Sequence, residues 1–157
     1  MLNTEFSKLL MHLNVLHKYA IHTKSSEIGV YYGQPPILRY LREHGECSQT
    51  EIARALNVSA ASMAVSIKRM QKAGLLEKKT DYSDMRYNRI KLTPLGIEKE
   101  KQCLDIFDGV SERMIDGFTE EEKQTLKDYF ERMAANLSAD GKSPDDIITE
   151  LKKAHKK

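Results

Sequence analysis

The 157 residues hold no tryptophan, two cysteines, four prolines and eight glycines, and aromatic side chains make up only 7%. Each scarcity removes a class of protein. Two cysteines, Cys47 and Cys103, cannot staple a small secreted fold and suit a reducing compartment, where they read as packing residues. No run of eighteen apolar residues occurs, so no membrane span is expected, and the first stretch is amphipathic rather than signal-like. These features lead us to expect a cytoplasmic protein with no membrane partner. The eight glycines form no phosphate loop or nucleophile elbow, and the five histidines form no paired-ligand helix. His12, His17 and His22 recur every five residues, which turns about 140° per step on a helix and scatters them. His44 near Cys47 lacks further ligands at matching spacing. The expectation is no enzyme, no cofactor and no metal.

The segment from Ser48 to Thr93 carries most of the information. Ser48-Gln49-Thr50-Glu51 fits a capping box, in which the Ser48 hydroxyl and the Glu51 carboxylate each take an unpaired N–H at a helix start. Ile52, Ala53 and Leu56 follow at helical spacing, and the small Ala53 lets a second helix cross closely. Asn57 suits the left-handed corner, Val58 is expected to plug it, and Ser59 caps the next helix, which ends near Ala73 with Gly74 as its stop. Met63, Ile67 and Met70 share one face of that helix and are expected in the core. The outward face then holds Ala61, Ser62, Val65, Ser66, Lys68, Arg69 and Lys72. Small residues come first, for close approach to base edges, and basic ones later, for phosphates.

Beyond Gly74, Leu75–Lys79 and Arg86–Leu92 alternate apolar and polar residues around the turn-rich Thr80-Asp81-Tyr82-Ser83-Asp84, which predicts a β-hairpin. Between Ala60 and Thr93 eight basic residues face three acidic ones, a net +5 in a chain of net +2. Two helices joined by a tight turn, with a basic ribbon beside them, is the arrangement of a DNA reader. The plain alternative is a helical hairpin with a solvated basic face.

The sequence here resembles the MarR family of winged helix-turn-helix regulators. Asp84-Met85-Arg86, then Leu92-Thr93 and Gly96, reproduce its D-x-R…L-T-x-x-G wing signature in identity and spacing. Pro35–Leu41, Ser48–Leu56 and Lys68–Leu76 are similar as well, and the helix order agrees from about Leu2 to Leu137. The resemblance implies that Arg86 enters the minor groove and that Asp84 orients its guanidinium. Minor-groove potential favours an inserted arginine, while the ordinary reading of the two is an exposed ion pair closing a hairpin. The candidate DNA contacts are Ser48, Gln49, Ser59, Ala61, Ser62, Val65, Ser66, Lys68, Arg69, Lys72, Lys78, Asp84, Arg86 and Arg89. Many family members carry Thr or Ser followed by Arg near the middle of the recognition helix, where this chain has Ala64-Val65. The change removes a guanine reader and leaves apolar contacts suited to thymine methyls, so the expected operator is A/T-rich.

The flanks supply a helical frame. Phe6, Leu9, Leu10, Leu13 and Leu16 mark an amphipathic first helix, Lys24–Tyr32 reads as a connector, and Pro35–His44 as a second helix ended by Gly45. Thr93-Pro94 opens a long helix striped by Leu104, Phe107, Val110, Met114 and Phe118. Thr119–Glu122 opens another with a second capping box, carrying Leu126, Tyr129, Phe130, Met133 and Leu137. Ser143-Pro144-Asp145-Asp146 starts a short last helix before a lysine-rich tail. From Asp105 to Glu150 thirteen acids face five bases, so this half should point away from DNA.

The expected fold is mainly α with a small β-ribbon wing: a winged helix-turn-helix domain over 33–96, an N-terminal dimerisation helix and connector over 1–32, and C-terminal dimerisation helices with a basic tail over 97–157. Terminal helices this apolar exceed what one winged domain can cover, which points to a two-fold homodimer. The resemblance implies the same, and it further implies a small aromatic or lipophilic effector in a cleft. Candidate lining residues are Leu16, Tyr19, Ile37, Tyr40 and Leu41, each of which equally suits an ordinary core. Redox-sensing relatives place a reactive cysteine in the first helix, and this chain has none there. The leading expectation is a dimeric regulator, most simply a repressor, that binds a short pseudo-palindrome on double-stranded DNA. The alternative is a winged-helix protein-interaction module without DNA binding, which the +5 segment disfavours.

Overall fold

A computed structural model describes residues 3–80, 88–138, 141–142 and 147. The tip of the hairpin, with Asp84 and Arg86, lies outside the described residues, as do the helix expected from Ser143 and the lysine tail. The elements run α1 (Asn3–Glu27), α2 (Pro35–His44), β1 (Cys47–Ser48), α3 (Gln49–Ala55), α4 (Ala60–Lys72), β2 (Leu76–Thr80), β3 (Asn88–Leu92), α5 (Pro94–Met114) and α6 (Glu120–Leu137). They divide into two compact units, Met1–Met114 and Ile115–Lys157. The first is a mostly helical body with a three-stranded antiparallel sheet in the order β1-β3-β2, the winged-helix arrangement expected from the sequence.

The core of the first unit forms where the apolar stripes of the short helices meet. Ile37, Leu38 and Leu41 come from α2, Ile52 and Ala53 from α3, and Met63, Ile67 and Met70 from α4. Leu75, Leu76, Ile90, Cys47 and Val30 close it, so connector and strands complete what the helices begin. Burial of this kind stabilises by roughly 1.5–3 kcal/mol per large aliphatic side chain, which outweighs the modest propensity of helices as short as α3.

The Leu92-Thr93-x-x-Gly96 segment locks strand to helix. The Thr93 hydroxyl donates to Gly74 O at 2.6 Å and accepts from Gly96 N at 3.0 Å. One hydroxyl therefore caps α5 and ties it to the end of α4. A Cβ on Gly96 would lie 2.1 Å from Leu75 O, so only glycine allows this approach. Further along, α5 packs on α2 and on α1, where His17 meets Phe107 edge-on at 5.6 Å between ring centroids.

Four sequence expectations need correction. The connector begins later than Lys24, because α1 runs on to Glu27. A Ser26 hydroxyl bonded to Thr23 O and a Lys24–Glu27 ion pair at 3.3 Å support that last turn. Val58 is exposed, since the corner closes through its backbone N–H on Ala53 O and needs no apolar plug. Phe118 falls outside α5, which stops at Met114, short of the turn that leads to Thr119. The strand β1 was not anticipated, because two residues carry no periodicity.

In the second unit α6 opens with the expected capping box. Thr119 Oγ1 accepts from Glu122 N at 3.2 Å, and Thr119 N donates to Glu122 Oε2 at 2.8 Å. None of the α6 residues is buried.

Candidate nucleic-acid interface

Hydrogen bonds at the start of α3 fix the two crossing helices. Ser48 N donates to Glu51 Oε2 at 2.6 Å, and Ser48 Oγ accepts from Glu51 N at 3.2 Å. These bonds hold the Glu51 carboxyl below its ordinary range, with Arg89 and Arg54 adding to the effect. At the other end Asn57 takes φ 53°, a left-handed corner that asparagine tolerates, and the chain reverses in three residues. Ser59 caps α4: its Oγ accepts from Ser62 N at 3.1 Å and donates to Ser62 Oγ at 2.9 Å.

The helix α4 is anchored by Met63, Ile67 and Met70, all at or below 3% exposure. The opposite ridge follows from helical geometry and runs Ala61, Val65, Lys68 with Arg69, then Lys72. All five residues are exposed, as is Ser62, whereas Ser66 is half-buried on the flank. This ridge is apolar for its first two turns and cationic for its last two. Ser48 and Gln49, at the start of α3, are half-buried, and Ser59 is exposed.

The ribbon flanks this helix. Leu76 pairs with Leu92, Lys78 with Ile90, and Lys79 with Arg89. Lys78 and Lys79 are exposed, so the ribbon adds positive charge beside α4. Lys91 meets its register partner Glu77 at 2.8 Å, an exposed pair of small energetic weight. Arg89 reaches back across the body. Its guanidinium lies 3.5 Å from Glu51 Oε2 and donates to Glu46 O at 3.4 Å, linking the central strand to the start of α3. The sequence reading missed this link, because residues 38 apart in the chain carry no local signal of contact. Asp84 and Arg86, the wing pair, lie outside the described residues.

The five residues named for an effector do not share one surface. Ile37 and Leu41 are packed in the core, so a ligand would reach them only by opening it. Tyr40 is half-buried and stacks on His44, with ring centroids 4.2 Å apart, while Leu16 and Tyr19 are exposed on α1. Cys47 is buried and Cys103 half-buried, and burial pushes both thiols up, the opposite of what a reactive thiolate needs. Among the described residues no cluster of three or more His, Cys, Asp or Glu has the geometry to hold a metal ion. No described helix is long and apolar enough to cross a membrane.

Comparison with known proteins agrees with this geometry. The MarR family model matches residues 28–86, beginning just after α1. The transcriptional regulator AdcR of Streptococcus pneumoniae is 32% identical over 95 residues, which cover 60% of this chain and 64% of AdcR. The match thus spans just under two thirds of that relative. MepR, a transcription regulator of the Staphylococcus aureus multidrug efflux pump MepA, superposes with a TM-score of 0.79 at 23% identity, covering 85% of this chain and 98% of that one. A mutant S. aureus MepR bound to an oligodeoxyribonucleotide gives a TM-score of 0.68 at 24% identity, again covering 85% and 98%. At these identities the likeness to MepR is one of fold.

Proposed function

We propose that the chain, whose residues 28–86 match the MarR family model, is a dimeric, sequence-specific DNA-binding regulator of transcription. One observation carries the reading: the α4 ridge opposite its core anchors ends in Lys68, Arg69 and Lys72, beside a ribbon bearing Lys78 and Lys79. An interaction module that had left DNA behind would have no use for that concentration of charge. The family is one of regulators rather than enzymes.

In this reading α4 enters the major groove with Ala61, Ser62 and Val65 toward base edges, and Lys68, Arg69 and Lys72 toward phosphates. Ser48, Gln49 and Ser59, at the N-terminal ends of α3 and α4, offer polar groups to the backbone, with Ser66 on the flank. Lys78 and Arg89 add charge from the ribbon, and Arg86, oriented by Asp84, reaches the minor groove. Residues 33–96 form the reader, while 1–32 and 97–157 join two copies. Two recognition helices then sit about 34–36 Å apart and demand a pseudo-palindrome. The protein acts in the cytoplasm as a repressor that occupies its operator. A small aromatic or lipophilic effector releases it by favouring a dimer with the wrong helix spacing, a population shift in which no bond is made or broken.

The test is fluorescence-anisotropy titration against DNA upstream of its own gene and duplexes selected from a random pool, at several salt concentrations. Six to eight phosphate contacts per dimer give a log–log slope of about −5 to −7. A slope near zero on every duplex overturns the reading.

A further inference from the structure

We propose that the operator is chosen by thymine 5-methyl groups packed against Val65 and Ala61 on the first two turns of α4. This rests on the DNA-binding reading above and names the base chemistry it recognises.

The argument begins with what that end of the helix holds. Val65 is 49% exposed, a β-branched apolar side chain standing on the ridge farthest from Met63 and Ile67. Ala61 lies one turn before it on the same ridge, and Ala60 and Ala64 are exposed on either side. The polar groups among them are the hydroxyls of Ser59, Ser62 and Ser66, and the first two bond each other. Ser59 Oγ donates to Ser62 Oγ at 2.9 Å while accepting from Ser62 N at 3.1 Å. The Ser59 hydroxyl, held in the cap, is a poor reader of base edges, since turning toward a base would release the helix start. No charge occurs on α4 before Lys68.

In the major groove only thymine presents a methyl group, and alanine-like or branched apolar side chains are its natural contacts. Ala61 and Val65 are about 6 Å apart along the helix axis, at 1.5 Å per residue. That separation is close to two base-pair steps of about 3.4 Å. The cationic end at Lys68, Arg69 and Lys72 commits the apolar end to its occupant, because phosphate contacts on one side bring base edges to the other. Nucleic acid is thus the partner that fits both halves of the ridge.

The experiment uses the full chain and synthetic duplexes recovered from a random pool, in which each thymine is replaced singly by uracil. That change deletes one methyl and leaves Watson–Crick pairing intact. The expected result is a three- to fivefold loss of affinity at one or two thymines per half-site, about what one buried methyl contributes. Val65→Ala, at an exposed site and with its folding checked by circular dichroism, should bind thymine and uracil duplexes alike at the Val65 position. Lys72→Ala should weaken both duplexes equally and leave the uracil effect in place. Equal binding of wild type to thymine and uracil duplexes, or recovered half-sites without thymine, overturns the inference while salt-dependent binding still upholds the regulator. Loss of salt-dependent binding on every duplex overturns both.

Discussion

The winged body and the helical ends are written with the same kind of apolar stripe, yet they meet opposite fates. Met63, Ile67 and Met70 on α4 are buried by their own chain. Leu9, Leu10, Leu13 and Leu16 on α1 are exposed, and between Leu9 and His17 that helix carries no charge to suit it to water. In the second unit Tyr129, Phe130 and Leu137 on α6 are exposed too. A helix apolar on more than one side belongs in an interior. The contrast teaches that the winged body is complete within one chain, whereas the ends call for a second copy to cover them, the dimer we propose.

The largest effect should come from breaking the complete half. Met63→Ala leaves a cavity at the centre of the core, and the expected loss is about 2–5 kcal/mol. Urea denaturation of the full chain at two protein concentrations measures it. If the body is self-sufficient, the loss is the same at both concentrations. A loss below about 1 kcal/mol would mean that the core is not organised around α4.

The second effect concerns the incomplete half. Leu13→Asp sits on an exposed position, so in a monomer it should change stability by no more than about 0.5 kcal/mol. If α1 is covered by a second copy, the same change buries an unpaired charge there and shifts sedimentation from dimer to monomer. Wild type should also melt higher at higher protein concentration, and Leu13→Asp should not. A variant that stays dimeric would remove α1 from the interface.

A third and smaller effect tests what the complete half is for. Lys72→Ala should weaken binding uniformly across duplex sequences and reduce the salt slope by about one phosphate contact per protomer. Fold and oligomeric state should be unchanged, because Lys72 is exposed at the last turn of α4. A sequence-dependent loss would place the side chain at a base edge instead.

Local chemistry made much of this legible in the sequence. Capping boxes at Ser48 and Thr119 announced two helix starts, and both are present with the hydrogen bonds the pattern requires. The core face of α4 followed from three residues at helical spacing, since in-register burial is a property of one helix alone. Legibility failed where the determinant is distant or too short. Phe118 matched the period of α5, but a period cannot say where the helix stops. Val58 matched an expected plug that the backbone bond to Ala53 O makes unnecessary. The Arg89–Glu51 link requires β1, β3 and α3 to be assembled first, so only the fold reveals it. Arg89 on its own looked like any other basic residue of the ribbon.

That link supports the smallest effect, and it sharpens how complete the winged half is. Arg89 and Glu51 are both about half exposed, with side-chain accessibilities of 42% and 51%, so their coupling should be weak, about 0.2–1 kcal/mol. A double-mutant cycle of Glu51→Gln and Arg89→Ala isolates it, because the two side chains share one contact. The sign of its pH dependence is fixed by the capping bonds from Ser48. They lower the Glu51 carboxyl, so its contribution is present above the ordinary carboxylate range and disappears as pH falls through the depressed value. The coupling should therefore hold at neutral pH and vanish in acid, and a coupling unchanged in acid would show that charge plays no part. Because Glu51 already offsets part of the Arg89 charge, Arg89→Ala should flatten the salt slope less than Lys72→Ala does. An equal flattening would mean that on DNA Arg89 leaves Glu51 for a phosphate, and that the body rearranges when it binds.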